Sequence, residues 1–208
     1  MNSEKGLINI FNNNKLKPFL DNTKYVYMSC KIKWIIVFEK DNKTMNDESC
    51  YDDYEGSNHI FAKFKTNRLK CVCIFNKFKK NKIIKKITDH KTSYQIDRII
   101  SKQIHYDEDK HIVKGISYFK SIIPAYYYDL DKLPNYTGYF VEFYYHGLVA
   151  SNGNIQNGKI DGLWSYYNDV TGLKEYDYYW IMNKCNSFGC KITEYCPDGS
   201  IKNISSFV

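Results

Sequence analysis

Alternation with a period of two, rather than helical spacing, dominates the apolar positions of this chain. Tyr25-Val26-Tyr27-Met28 and the run Ile32 to Phe38 are rich in β-branched and aromatic residues, which predicts two strands before a turn at Asp41-Asn42-Lys43-Thr44. Ile60, Ala62 and Phe64 alternate with Phe61, Lys63 and Lys65. After Thr66-Asn67-Arg68, the residues Leu69, Cys71, Cys73 and Phe75 share one face. This pattern predicts a hairpin over residues 59–75. Lys79 to Ile87 fits two patterns, Ile83 and Ile87 at helical spacing or a further strand after a turn at Asn81, with the strand favoured, and Ile99–His105 and His111–Phe119 flank a turn at Asp107-Glu108-Asp109-Lys110. Only the start departs from this rhythm. Ser3 is placed to cap a short helix through Phe11, with Leu7, Ile8 and Phe11 on one face. Asn12-Asn13-Asn14 would end that helix, and Pro18 bars a longer one.

The chain changes character near residue 115. Nine of its 11 Gly and 14 of its 20 Tyr lie at or beyond that point, and no Ser/Pro-rich spacer separates the two parts. Three segments there align on paired glycines: Gly138 to Gly147, Gly162 to Gly172, and Gly189 to Gly199. Each runs an aromatic/polar strand into a turn whose closing glycine supplies a positive φ, and a second strand follows. Asn157-Gly158 and Asp198-Gly199 are strong hairpin dipeptides. A lone hairpin cannot bury its aromatic face, but stacked copies can. The segment Asn157-Gly158-Lys159-Ile160-Asp161-Gly162-Leu163-Trp164-Ser165-Tyr166-Tyr167, followed by Gly172-Leu173-Lys174, resembles the MORN-type repeat. It is closest to the antitoxin-like variant common in amoeba-infecting giant viruses. The resemblance covers residues 136–204. Its first copy has Phe140 and its third Lys191 where the middle one has Trp164. It implies an interaction or scaffold module, some members of which are associated with membrane lipids, and it carries over no catalytic residue and no cofactor.

The implied fold class is mainly β: stacked antiparallel β-hairpin repeats forming an elongated or curved sheet, with one short N-terminal helix. Residues 1–114 form a β-rich basic part and 115–208 the Gly/Tyr-rich repeat part, read together as one continuous domain. Composition adds two exclusions. With 43% hydrophobic and 17% aromatic residues the chain is not disordered throughout. Its longest apolar run, Trp34 to Phe38, is far short of a membrane span, so no transmembrane segment is expected. Half of the residues are Asn, Lys, Ile, Tyr or Phe, as AT-rich coding would give. The start shows no basic-then-apolar leader, and seven Cys is an odd number, so an intracellular protein with free thiols is expected.

The net charge of +7 is unevenly placed. Gly56 to Thr88 holds ten Lys and Arg and no acid. Its densest run, Lys77, Lys79, Lys80, Lys82, Lys85 and Lys86, is a candidate anion-binding surface for nucleic acid or acidic lipid. The chain has two Arg in total, which disfavours bidentate phosphate reading and suits a solvated face. Tyr144, Tyr145, Trp164, Tyr166 and Tyr167 are the candidate partner-binding aromatics. In the Tyr pairs, one residue of each should pack inward and the other face out, and the run Tyr126-Tyr127-Tyr128 invites the same strand reading. Cys185, Cys190 and Cys196, Cys71 with Cys73, and His105 with His111 around Asp107 are each explained more simply by packing or by a polar turn than by a metal or redox site. No phosphate loop, nucleophile elbow or zinc-protease motif occurs. The expectation is a non-enzymatic protein that binds another protein, with anionic-surface binding as the alternative.

Overall fold

The computed structural model describes residues 3–20, 22–51, 56–79, 81–108, 111–181 and 190–207. The protein is mainly β, built on two six-stranded sheets in which every pairing is antiparallel. A short helix α1 (Ser3–Phe11) and a single helical turn α2 (Lys17–Leu20) precede the first sheet. That sheet begins with β1 (Tyr25–Cys30) and β2 (Trp34–Glu39), a hairpin with Cys30 opposite Trp34. Its next strands are β3 (Lys63–Thr66) and β4 (Arg68–Asn76). A small hairpin of β5 (Lys86–Asp89) and β6 (Thr92–Gln95) stands apart from it, and so does one of β8 (His105–Tyr106) and β9 (Ile112–Lys114). With β7 (Ile99–Ser101) and β10 (Ile116–Phe119), the order across the sheet is β3-β10-β1-β2-β4-β7.

The hairpin expected over 59–75 does not form. β3 pairs with β10 and β4 pairs with β2, so the two strands sit apart in the sheet. The single residue Asn67 between them is too short to fold a strand back on itself. Hydrogen bonds tie that corner instead to the 43–46 segment: Thr66 Oγ1 donates to Met45 O at 2.6 Å, and Met45 N–H donates to Asn67 Oδ1 at 2.8 Å. Cys71 and Cys73 also part company. A register shift opposite Val37 and Phe38 puts Cys71 in the core on one side of the sheet and Cys73 in the core on the other.

Helix α1 forms where expected but buries a different face. Gly6 and Ile10 point inward, while Ile8 and Phe11 are exposed. Gly6 is the reason: a Cβ there would lie 2.2 Å from the hydroxyl oxygen of Tyr126. Tyr126 itself belongs to a helix, α3 (Ile122–Tyr127), and not to a strand. Ser121 Oγ accepts from Ile123 N–H at 3.2 Å, and Pro124 sits in the first turn. Tyr126 and Tyr127 are both buried, and Tyr128, just past the helix, is exposed. The Tyr run therefore does not split between two sheet faces.

The second sheet is an up-and-down meander of three hairpins: β11 (Gly138–Phe143) with β12 (Val149–Gln156), β13 (Lys159–Tyr167) with β14 (Lys174–Trp180), and β15 (Cys190–Tyr195) with β16 (Ile201–Phe207). The repeat is visible in the backbone. In each hairpin the closing glycine has positive φ: 96° at Gly147, 67° at Gly172 and 82° at Gly199. Each closing glycine donates its N–H to the residue after the first strand: Tyr144, Asn168 or Cys196. That same residue donates to Leu148, Leu173 or Ser200. Each hairpin also bulges at the matching place, after Glu142, Tyr166 and Glu194. Asn157 and Gly158, with φ of 50° and 75°, close the two-residue turn from β12 to β13. Gly189 and Cys185 lie outside the described residues.

The two sheets share one core. Phe140, Ile155 and Trp164 of the repeat sheet pack with Ile35, Val37 and Phe75 of the first sheet and with Tyr126, Tyr127 and Leu130. Phe140 and Trp164 stack at 6.1 Å across β12, where Gly153 leaves room between them. The compositional change at residue 115 is not the sheet boundary, because β10 belongs to the first sheet.

Candidate functional site: a cleft along an open strand edge

A cleft of about 280 Å³ opens where the segment after α3 faces β11. One wall is β11 and the residues after it, from Phe140 to Tyr145 without interruption. The other runs from Tyr127 to Lys132, with Lys63 closing one end. Buried aromatic rings of Phe119, Tyr127 and Phe140 line the interior. The two lysines at the rim are engaged. Lys63 Nζ donates to the Tyr128 hydroxyl at 2.7 Å, and Lys132 pairs with Asp129 at 2.6 Å. The exposed carboxylates of Asp131 and Glu142 make no ion pair among the described residues. Among the described residues, the Ser151 hydroxyl donates to Glu142 at 3.0 Å. The lining thus pairs an apolar interior with an acidic surplus at the mouth.

β11 is an edge strand, paired on one side with β12. The turn hydrogen bonds fix which of its peptide groups face the other side. Tyr144 N–H donates inward, to Leu148 O. Along a strand the backbone groups of successive residues point to alternate sides. Counting back from Tyr144, those of Phe140 and Glu142 face β12, and those of Tyr139, Val141 and Phe143 face outward. Two observations agree: Tyr139 O accepts from the Tyr136 hydroxyl at 2.6 Å, and Tyr145 O accepts from Lys63 N–H at 2.9 Å. Between them, nothing among the described residues pairs with the outward groups of Val141 and Phe143. These line the cleft.

The candidate anion-binding lysines do not act as one group. Lys79, Lys82, Lys85 and Lys86 are exposed, and Lys80 lies outside the described residues. Lys77 is 1% exposed. Its ammonium donates to Ser29 Oγ at 2.8 Å and to Tyr128 O at 3.2 Å. Burial drives its pKa down to about 7, against the opposing attraction of Asp129. Lys77 is therefore no part of a surface. The patch that remains uses residues the sequence did not single out. Lys77 N–H bonds Lys33 O, which brings exposed Lys31 and Lys33 to the end of the sheet that carries Lys79 and Lys82.

The candidate aromatics also divide. Trp164 is 3% exposed and lies in the shared core, so it offers no free surface. Tyr145 is exposed at the cleft, and Tyr144 beside it is half-buried, its hydroxyl donating to Tyr167 O at 2.9 Å. Tyr166 and Tyr167 are both half-buried on β13. Tyr166 packs edge-on against Tyr178 at 5.4 Å, and the Tyr167 hydroxyl accepts from Asn152 at 3.0 Å.

Two carboxylates, half-buried Glu48 beside the first sheet and buried Asp177 in the second, each gather several donors within their own sheet. Burial pushes Glu48 up, but hydrogen bonds from Lys120, Lys40 and the Tyr118 hydroxyl outweigh it and leave the group below its ordinary range. Asp177 behaves alike: burial is overcome by Ser165, Tyr195 and Lys174. Burial pushes the thiols of Cys30 and Cys71 up to about 12 and Cys73 to about 11, as inert core residues require. Among the described residues no group of three or more His, Cys, Asp or Glu is placed to hold a metal ion, and no helix is long and apolar enough to cross a membrane. Comparison with family models, curated proteins and solved structures finds no match to this chain.

Proposed function

We propose that this protein is a non-enzymatic interaction module of MORN-like hairpin repeats that binds another protein at the cleft along β11. The observation that carries the reading is the cleft itself: an unpaired strand edge, a buried aromatic interior and a rim with uncompensated acids. Such a site presents hydrogen-bonding backbone and apolar surface together, which a protein partner can satisfy at once. The repeats supply the edge, and the end of α3 with the segment after it supplies the opposite wall.

A second reading rests on the exposed lysines at the end of the first sheet, Lys31, Lys33, Lys79 and Lys82, which suit a nucleic-acid or acidic-lipid surface. One comparison separates the two. Nuclease-treated lysate is captured on the wild type, on Asp131→Arg/Glu142→Arg, and on Lys31→Glu/Lys33→Glu/Lys79→Glu/Lys82→Glu. The interaction-module reading expects a discrete protein lost only from the first variant and retained at raised salt. Loss of all bound material from the second variant alone, steepening with salt, would replace it with the anionic-surface reading.

A further inference from the structure

We infer that the cleft takes its partner by strand addition: an extended segment of another protein, alternating apolar and Lys/Arg residues, pairs with the open edge of β11. This rests on the interaction-module reading and specifies its chemistry. The outward peptide groups of Val141 and Phe143 face the cleft with nothing pairing them among the described residues. An added strand would satisfy both residues' donors and acceptors, the means by which sheet edges capture peptides. Alternate side chains of that strand would point to opposite faces. One set meets the half-buried side chains of Val141 and Phe143, and the other lies over the opposite face of β11, which carries Phe140 and the Glu142 carboxylate at the rim. Lys63 and Lys132 are already held by Tyr128 and Asp129, so charge complementarity selects a basic segment over an acidic one. The groove is guarded at both ends. The Tyr136 hydroxyl caps Tyr139 O, and Lys63 N–H caps Tyr145 O, so pairing is confined to the short central stretch. Proteins commonly protect long edges against self-pairing, and a stretch left open beneath a wall is accessible to a single slender chain but not to another sheet.

The test uses an acetylated, amidated hexapeptide alternating Val and Lys, titrated against isotope-labelled protein and followed at the amides of Val141 and Phe143. Two further peptides carry backbone N-methyl groups on alternate residues, one on every Val and one on every Lys. A paired strand presents one of these two sets to β11, so one methylated peptide should bind at least about tenfold more weakly and the other close to normally. A Val-Glu peptide should bind less than the Val-Lys one. Val141→Pro removes an outward donor that the fold does not use, and should weaken binding about tenfold with little loss of thermal stability. Equal binding by both methylated peptides, with loss in Glu142→Lys, would overturn strand addition while leaving a protein-binding cleft. Absence of binding at these amides would overturn the inference even where the capture comparison yields a cleft-dependent partner. Self-association of the free protein through β11, seen by sedimentation and abolished by Val141→Pro, would replace the peptide with a second copy.

Discussion

Replacing Lys77 with Met should stabilise the protein by an amount that depends on pH. The ammonium is buried against Ser29 Oγ and Tyr128 O, with Asp129 the nearby charge opposing its loss. Its pKa falls from 10.5 to about 7 on folding. The folded protein therefore binds fewer protons here than the unfolded chain between those two values, and stability rises with pH across that window. Below about pH 7 the full penalty applies, about 5 kcal/mol at 1.36 kcal/mol per unit. At pH 9 the unfolded chain is still protonated and the folded one is not, which leaves about 2 kcal/mol. The methionine fills a similar volume and removes the same donor at either pH, while Tyr128 O keeps the Ser29 hydroxyl at 3.3 Å. The stability difference between Lys77→Met and the wild type, from urea unfolding at pH 6 and pH 9, should therefore be larger at pH 6 by about 2–3 kcal/mol. Other titrating groups are common to both proteins and cancel. A difference that stays constant within about 0.5 kcal/mol would show that the buried ammonium keeps an ordinary pKa, and the reasoning would fail.

Gly153→Ala should cost about 1–3 kcal/mol and perturb the near-ultraviolet circular dichroism, because the new Cβ would lie 2.3 Å from Trp164 Cε3. Two turn glycines should behave differently in thermal melts. At Gly172 the nearest atoms are flexible Leu148 carbons at 3.4 Å or more, so alanine should cost about 1 kcal/mol for its positive φ alone. At Gly147 the Cβ would meet the backbone of Asn58 at 2.1 Å and should cost distinctly more. Glu48→Gln should destabilise the protein by about 2–3 kcal/mol at pH 7 by removing the charge from its bonds to Lys40, Lys120 and Tyr118 and one of its two acceptor oxygens. Since the folded pKa of Glu48 is lowered, that contribution is present above about 4.5 and is lost as pH falls. The two proteins should converge in acid unfolding curves.

What the sequence made legible was local. Paired glycines and Asn157-Gly158 announce turns because φ > 0 is a constraint on single residues, and the structure places positive φ at Asn157, Gly158, Gly147, Gly172 and Gly199. The cleft was not legible. It arises where a helix capped by Ser121 delivers Tyr127 to Lys132 opposite β11, a juxtaposition that no alternation encodes. The same limit explains the lost hairpin at 59–75, since β3 finds β10 some fifty positions away. It also explains Lys77. Its position in a basic run suggested a surface, but β4 reaches the core along Cys73, Ile74 and Phe75, and Lys77 continues it inward. Gly6 could have warned that α1 approaches another element closely; the glycine on a helical face was the available signal.

The most direct test of partner binding at the cleft is position-resolved photo-crosslinking in nuclease-treated lysate. A photoreactive residue replaces Glu142 at the cleft mouth in one protein and Lys79 at the basic end in another. Binding at the cleft predicts a single protein adduct from position 142, competed by the Val-Lys hexapeptide, and none of that mass from position 79. Adducts only from position 79, or adducts that contain nucleic acid or lipid, would contradict it.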